Sequence, residues 1–256
     1  MKLRHSALAL VATATFALTI NAPVLAEASS HNHHEIHWGY EGVGAPSHWG
    51  DLKEDYHLCK DGQQQSPIDI GATVDASLPA ISVAYKPGPL TVVNNGHTIQ
   101  VNYSNGSQIE VDGKKYSLLQ FHFHAPSEHT FNGKPADMVI HFVHKDEDGK
   151  LGVIDVSLQK GKANPTIQAI WDNMPATEGK KEVATEINAA NLIPSGLSYF
   201  NYSGSLTTPP CSEGVNWMVL KQPIELSEAQ IAAFTKIFPM NARPVQPLHG
   251  RHVKTH

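Results

Sequence analysis

The stretch Gln120-Phe121-His122-Phe123-His124 limits what this chain can fold into more than any other. Successive side chains of an extended strand point to opposite faces, so Phe121 and Phe123 share one face and His122 and His124 the other. Such a strand needs an apolar layer behind it and a polar or metal-bearing cleft in front. Further along, His141-Phe142-Val143-His144 repeats the alternation. Laid beside the first strand, it would bring a third imidazole, His141, to the histidine face. Three imidazoles leave one tetrahedral position of a zinc ion open, the arrangement of catalytic rather than structural zinc. The pattern alone is weak, because 16 His in 256 residues yield about one His-x-His by chance. His31-Asn32-His33 is another, in a polar segment without strand periodicity.

The surrounding text suits a sheet. Runs at Leu90–Val93, Thr98–Tyr103, Gln108–Val111, Tyr116–His124, Met138–His144 and Val153–Leu158 read as strands. Asn94-Asn95-Gly96, Asn105-Gly106, Asp112-Gly113 and Asn132-Gly133 supply the positive φ angles of tight turns between them. Helical signals are fewer. Pro165–Trp171 and Lys180–Ala190 are each expected to form a short helix. Ser227 is the expected N-cap of a third, with Ile231, Phe234 and Phe238 at helical spacing. The result is one β-rich domain with peripheral helices.

Residues 1–26 read as a signal peptide: Lys2 and Arg4, an apolar run from Ala7 to Ile20, and Val24-Leu25-Ala26 before a cleavage point. An uncleaved anchor is the competing reading. Residues 27–36 are polar and His-rich, and are expected to be a disordered leader. The domain is expected over 37–256, with no membrane span in the mature chain. Cleavage removes two of 19 basic residues and no acidic ones, leaving 17 against 24 and a net charge of −7. Nothing basic or patterned suggests nucleic acid. Cys59 and Cys211 are the only cysteines. An even count in an exported chain favours one disulfide, with two buried thiols as the alternative.

Several blocks occur in a telling order: His37-Trp38-Gly39-Tyr40, Gln65-Ser66-Pro67-Ile68-Asp69-Ile70, Asn94-Asn95-Gly96-His97, the Gln120–His124 run, Ser127-Glu128-His129-Thr130, Ser205-Leu206-Thr207-Thr208-Pro209-Pro210-Cys211, and Arg243-Pro244-Val245-Gln246-Pro247-Leu248. Together they resemble the α-class carbonic anhydrases, in particular exported bacterial members. The resemblance implies a mainly β (α+β) fold: a large central, mostly antiparallel twisted sheet with short peripheral helices. It also implies reversible hydration of carbon dioxide to bicarbonate and a proton. The implied cofactor is Zn2+ on His122, His124 and His141, its bound hydroxide attacking CO2. Zinc on neutral imidazoles lowers the pKa of bound water towards neutrality, and carbonic anhydrases are the standard example of this.

Further roles follow from the same resemblance. Glu128 and Thr207 match a gatekeeping pair in which the carboxylate accepts the threonine proton and Thr207 orients the nucleophile and bound anions. Val143, Val153, Leu206, Thr208 and Trp217 match the substrate wall. His97 matches the proton shuttle, with Tyr40, Asn95 and Gln100 along its water path. Gln120 and the backbone carbonyl near Asn241 match partners of the first two ligands. Cys59 and Cys211 match the family disulfide, and cis peptides are implied at Ser66-Pro67 and Pro209-Pro210. Two positions depart from the pattern. Val139 stands where animal members have a glutamate two residues before the third ligand, so His141 needs another partner. Ala242 stands where many members have tryptophan. The resemblance places the chain in a periplasm, with the extracellular space as the alternative, and leaves a homodimer open.

Overall fold

A computed structural model describes residues 37–103 and 106–255. The expected signal peptide over 1–26, the expected leader over 27–36 and Asn105 of an expected turn lie outside the described residues. Turn chemistry acts where expected: Asp112 and Gly113 adopt φ of 53° and 72°, and Asn132 and Gly133 adopt 49° and 76°. Paired positive angles suit two-residue hairpin loops that match the right-handed twist of their strands.

Eight strands carry the architecture: β1 (Gly88–Asn94), β2 (Ile99–Asn102), β3 (Lys114–His124), β4 (Met138–Lys145), β5 (Leu151–Lys160), β6 (Gly179–Ile187), β7 (Tyr199–Ser205) and β8 (Glu213–Leu220). They lie in the order β6-β1-β2-β3-β4-β5-β8-β7 within a 13-stranded sheet. Along this path only the β5–β8 pairing is parallel. The fold is therefore the mainly β arrangement with a mostly antiparallel sheet expected from the sequence.

The two faces of the sheet differ as the alternation requires. On one, Phe121, Phe123, Ile140, Phe142, Ile154 and Val156 join a single apolar cluster and are fully buried. Helices α1 (Pro165–Trp171) and α2 (Glu228–Thr235) cover this face, contributing Ile167, Ile170, Trp171 and Phe234. Each such side chain contributes about 1.5–3 kcal/mol on burial. Asn164 caps α1, accepting from the N–H groups of Thr166 and Ile167. Ser227 and Gln230 form a reciprocal capping box at the start of α2. Phe238 lies beyond the end of α2 but is still buried. The opposite face carries a smaller cluster of Val143, Val153, Tyr202, Val215, Trp217 and Val219 beside the histidines.

The expected helix over Lys180–Ala190 is not formed. Gly179–Ile187 is strand β6, paired antiparallel with β1 at the edge of the sheet, and a 3-10 turn follows at Ala189–Leu192. Most β6 side chains are exposed, so the strand has no alternating apolar face to read. Val183 and Ile187 at i, i+4 imitate a helical stripe, and Lys and Glu are good helix formers, but pairing with β1 overrides propensity.

Both implied cis peptides, Ser66-Pro67 and Pro209-Pro210, are present, and Ala125-Pro126 is a third. No helix of the described residues is long and apolar enough to cross a membrane. At Gly204, a Cβ would meet Ser66 Oγ, and would lie 2.8 Å from both Trp217 Cδ1 and Tyr202 Cε2. Gly204→Ala is therefore expected to destabilise the fold by about 1–3 kcal/mol through overpacking. A thermal melt checks this, and an unchanged midpoint would show that the neighbours yield freely.

Candidate metal centre

Strand register builds the site. Gln100 of β2 lies opposite His122 of β3, His122 opposite His141 of β4, and His141 opposite Asp155 of β5. One row of side chains thus crosses four strands, and His124, two residues from His122, stands opposite Val139. Each imidazole uses one nitrogen in a hydrogen bond. His122 Nδ1 donates to Gln120 Oε1 at 2.8 Å, and His124 Nδ1 donates to the Asn241 carbonyl at 2.7 Å. His141 Nε2 donates to Asp155 Oδ2 at 3.1 Å. The remaining nitrogens are Nε2, Nε2 and Nδ1. The three residues offer ligand atoms within 4.8 Å of one another. His124 Nε2 is buried without a hydrogen-bond partner. An orphaned buried acceptor amid two more imidazoles fits a zinc ion, which needs neutral nitrogen donors. Burial lowers the pKa of His122, reinforced by the two neighbouring imidazoles, and burial also lowers that of His124, where Glu128 opposes the fall without reversing it, so both rings are held neutral.

Glu128 and Thr207 are both buried. Glu128 Oε1 accepts from the Arg243 backbone N–H at 2.8 Å. Its Oε2 lies 3.6 Å from His124 Nε2 and 3.8 Å from His141 Nδ1, and has no hydrogen-bond partner. The hydrogen bond expected from Thr207 to Glu128 is therefore not formed. The carboxylate instead leans towards the two imidazoles. Val143, Val153 and Trp217 are buried together, and Leu206 packs on them, so four of the five wall residues form one apolar surface.

The fifth, Thr208, lines a cavity of about 130 Å³ together with Tyr40, Asn95, His97, Gln100, Gln120, His122 and His124. The expected shuttle, its three path residues and two of the ligands thus face one space. Asn95 shapes the entrance, its Oδ1 accepting from the N–H groups of His97 and Thr98 at 3.0 Å each. Asn241 ties this turn to the metal strand, donating through Nδ2 to the carbonyls of His97 and Phe123, 3.0 Å each. The His97 ring stacks on Trp38 with centroids 3.5 Å apart, and His37 lies 5.1 Å away on a parallel plane. Burial lowers the His97 pKa to about 4; His37 adds to the fall and Glu178 opposes it. Burial, reinforced by Glu128, holds the Tyr40 hydroxyl well above its ordinary value.

Residues 44–256 match the family model described as eukaryotic-type carbonic anhydrase. The chain belongs to the carbonic anhydrase family. It is 47% identical over 228 residues to a carbonic anhydrase of Neisseria gonorrhoeae, covering 88% of this chain and 90% of that one. The α-carbonic anhydrase of Thermovibrio ammonificans, solved with the inhibitor sulfanilamide, superposes with a TM-score of 0.84 at 48% identity, covering 86% and 99% of the two chains. A hyperthermostable carbonic anhydrase from a hydrothermal vent chimney gives the same TM-score at 50% identity, covering 86% of this chain and 99% of that one. Family membership makes the protein a lyase of carbon dioxide hydration, in a family that uses zinc.

In this carbonic anhydrase the loop carrying Thr207 and Thr208 is braced from behind. Cys59 and Cys211 form a disulfide. The buried Arg243 donates to the Cys59 and Ser66 carbonyls and to Gln65 Oε1, while Gln65 Nε2 donates to the Cys211 carbonyl. Sequence reasoning left the partner of His141 unnamed and passed over His129 and Tyr202. Asp155 carried one available signal: it is a single carboxylate inside the apolar run Val153-Ile154-Asp155-Val156, and such a residue is almost never fully buried unless paired. Burial works against its ionisation, but hydrogen bonds from His129 and His141 outweigh that and hold its pKa at about 2.

Proposed function

We propose that the protein interconverts carbon dioxide and bicarbonate with one zinc ion on His122 Nε2, His124 Nε2 and His141 Nδ1. The observation that carries this reading is the arrangement of the three imidazoles. Each spends its other nitrogen on a fixed acceptor, and the orphaned His124 nitrogen faces the remaining two. When bound, zinc supplies the Lewis acidity that makes a nucleophile from water at neutral pH. The surface of Val143, Val153, Leu206 and Trp217 suits a substrate without charge or dipole, and it excludes water beside the reacting carbon. Thr207 and Thr208 flank that surface and offer hydroxyl and backbone N–H groups to the anionic product. Glu128 accepts only, so any hydroxyl proton directed at its free Oε2 leaves the donor's oxygen able to accept in turn. Closure of the Thr207 hydroxyl onto that oxygen would complete the orienting pair.

The product proton leaves along the cavity lined by Tyr40, Asn95 and Gln100 to His97. In its stacked position His97 is too weak a base to hold a proton at neutral pH, so uptake belongs to a ring swung away from Trp38. The folded His97 pKa is depressed, so the unfolded chain binds more protons between pH 6.5 and about 4. The stability contributed by the neutral stacked ring is therefore lost as pH falls through that window. The His97 ring is expected to titrate near pH 4 by NMR and to move towards 6.5 in Trp38→Ala. An unchanged midpoint in the variant would show that burial under Trp38 is not the cause.

His97→Ala is expected to slow stopped-flow CO2 hydration in dilute buffer by up to about 100-fold, the lower end for losing a positioned proton-transfer group. Millimolar imidazole buffer should restore the rate. A variant as fast as the parent in dilute buffer would remove His97 from the path, and no turnover in the parent would overturn the hydration reading itself. We also propose export, by cleavage after Ala26, to a periplasm or the exterior, where the Cys59–Cys211 bond persists. A mature N-terminus at Glu27, by mass spectrometry, is the expected result.

A further inference from the structure

The third ligand is anchored differently from the other two. His122 is held by Gln120, two residues before it on its own strand, and His124 by a loop carbonyl. The position two residues before His141 is Val139, fully buried, with a side chain that cannot accept a hydrogen bond. Asp155 reaches His141 from the neighbouring strand instead, directly opposite it in the antiparallel register. Opposed positions bring Cβ atoms to about 4.5–5.5 Å, so a short carboxylate suffices.

Asp155 is fully buried, and its Oδ2 accepts from two imidazoles, His141 Nε2 at 3.1 Å and His129 Nδ1 at 2.7 Å. His129 Nε2 is 2.6 Å from the Tyr202 hydroxyl, which lies 2.8 Å from Ser66 Oγ. The directions of donation follow. A carboxylate only accepts, so both imidazoles carry a proton towards Asp155. His129 Nε2 then accepts from Tyr202, and the tyrosine oxygen from Ser66. Ser66 Oγ accepts from the backbone N–H of Ser205 at 3.0 Å, two residues before Thr207. His129, His141 and Asp155 also offer atoms close enough for a second metal ion. Those atoms are engaged with one another, and the other His129 nitrogen is taken by Tyr202, so the cluster is a hydrogen-bond chain.

We propose that Asp155 is the positioning residue of the third zinc ligand, fixing His141 with its proton on Nε2 and its Nδ1 towards the metal, and coupling it through His129, Tyr202 and Ser66 to the start of the Thr207 loop. Val139 and Asp155 then form a compensating pair: the carboxylate sits across the ladder because the ligand's own strand lacks one. The inference rests on reading His122, His124 and His141 as zinc ligands.

Its test does not need turnover. In zinc-free protein, 15N NMR should show the His141 proton on Nε2 in the parent and a shift of that population in Asp155→Asn. An identical tautomer in both would overturn the proposal. The zinc dissociation constant, measured by competition with a chromophoric chelator, should rise about 10–100-fold in Asp155→Asn, the range for losing an orienting partner. The double variant Val139→Glu/Asp155→Gly, which moves the carboxylate to the ligand's own strand, should recover most of that loss. It also decides the matter if Asp155→Asn fails to fold. Recovery of fold and zinc affinity together supports positioning, whereas recovery of fold without zinc affinity overturns it. A parent that binds no zinc would refute the functional reading, and the tautomer comparison would still judge Asp155.

Discussion

His124→Ala is expected to eliminate zinc retention and carbon dioxide hydration together. His124 is almost fully buried, its Nδ1 is fixed by the Asn241 carbonyl, and its Nε2 has no partner among the described residues. Alanine removes one of three donors, and the two remaining imidazoles then bind an ion without the geometry of the full set. Losing only an orienting partner costs about 10–100-fold in affinity, so losing a ligand should exceed about 100-fold. The substitution also leaves the Asn241 carbonyl unpaired, at about 1–3 kcal/mol. Circular dichroism must therefore accompany the assay, to separate loss of metal from loss of fold. Zinc content measured after dialysis should fall to background while the strand signal persists. A folded variant that keeps one zinc and full turnover would place the metal elsewhere.

Removing the disulfide is expected to cause the largest change in stability. Cys59 and Cys211 are 152 residues apart in sequence, so the bond closes most of the described chain into a loop. In the chain-entropy model such a closure contributes about 5 kcal/mol. For a chain of this size that corresponds to a fall of about 10–20 °C in Tm. Residual denatured-state structure makes this an upper value. The local consequence is as specific as the global one. The Cys211 N–H donates to the Thr208 carbonyl, the Cys211 carbonyl accepts from Gln65, and the Cys59 carbonyl accepts from Arg243. Arg243 in turn presents its backbone N–H to Glu128. Cys59→Ser/Cys211→Ser should therefore lose hydration activity at temperatures where the sheet is still intact. Coincident loss of activity and fold, at the parent's midpoint, would show that the bridge braces nothing.

What was legible in the sequence was whatever a two-residue period writes down. Phe121 and Phe123 against His122 and His124 specify two faces, and the structure has an apolar layer on one and the candidate metal centre on the other. Asp112-Gly113 and Asn132-Gly133 announced their turns because few other residues accept two successive positive φ angles. Strand β6 was illegible for the opposite reason. An exposed edge strand buries little, so Lys180, Glu182 and Glu186 carry no periodic signal and their helix propensity stands unopposed until β1 pairs with them. Asp155 was missed because the partner of His141 lies on another strand. Which residue of β5 faces His141 depends on cross-strand register, a property of two distant segments together. The open Glu128–Thr207 pair shows the same limit, since matching residue types do not fix whether a hydroxyl and a carboxylate meet.

One zinc ion held by three imidazoles is the centre of the proposed function. Stripped of metal with a chelator and titrated with zinc, the protein should show CO2 hydration in stopped flow that rises linearly and breaks at one equivalent. The same titration of His124→Ala should stay flat. Full activity in the chelated parent, or a rise with no break near one equivalent, would contradict it.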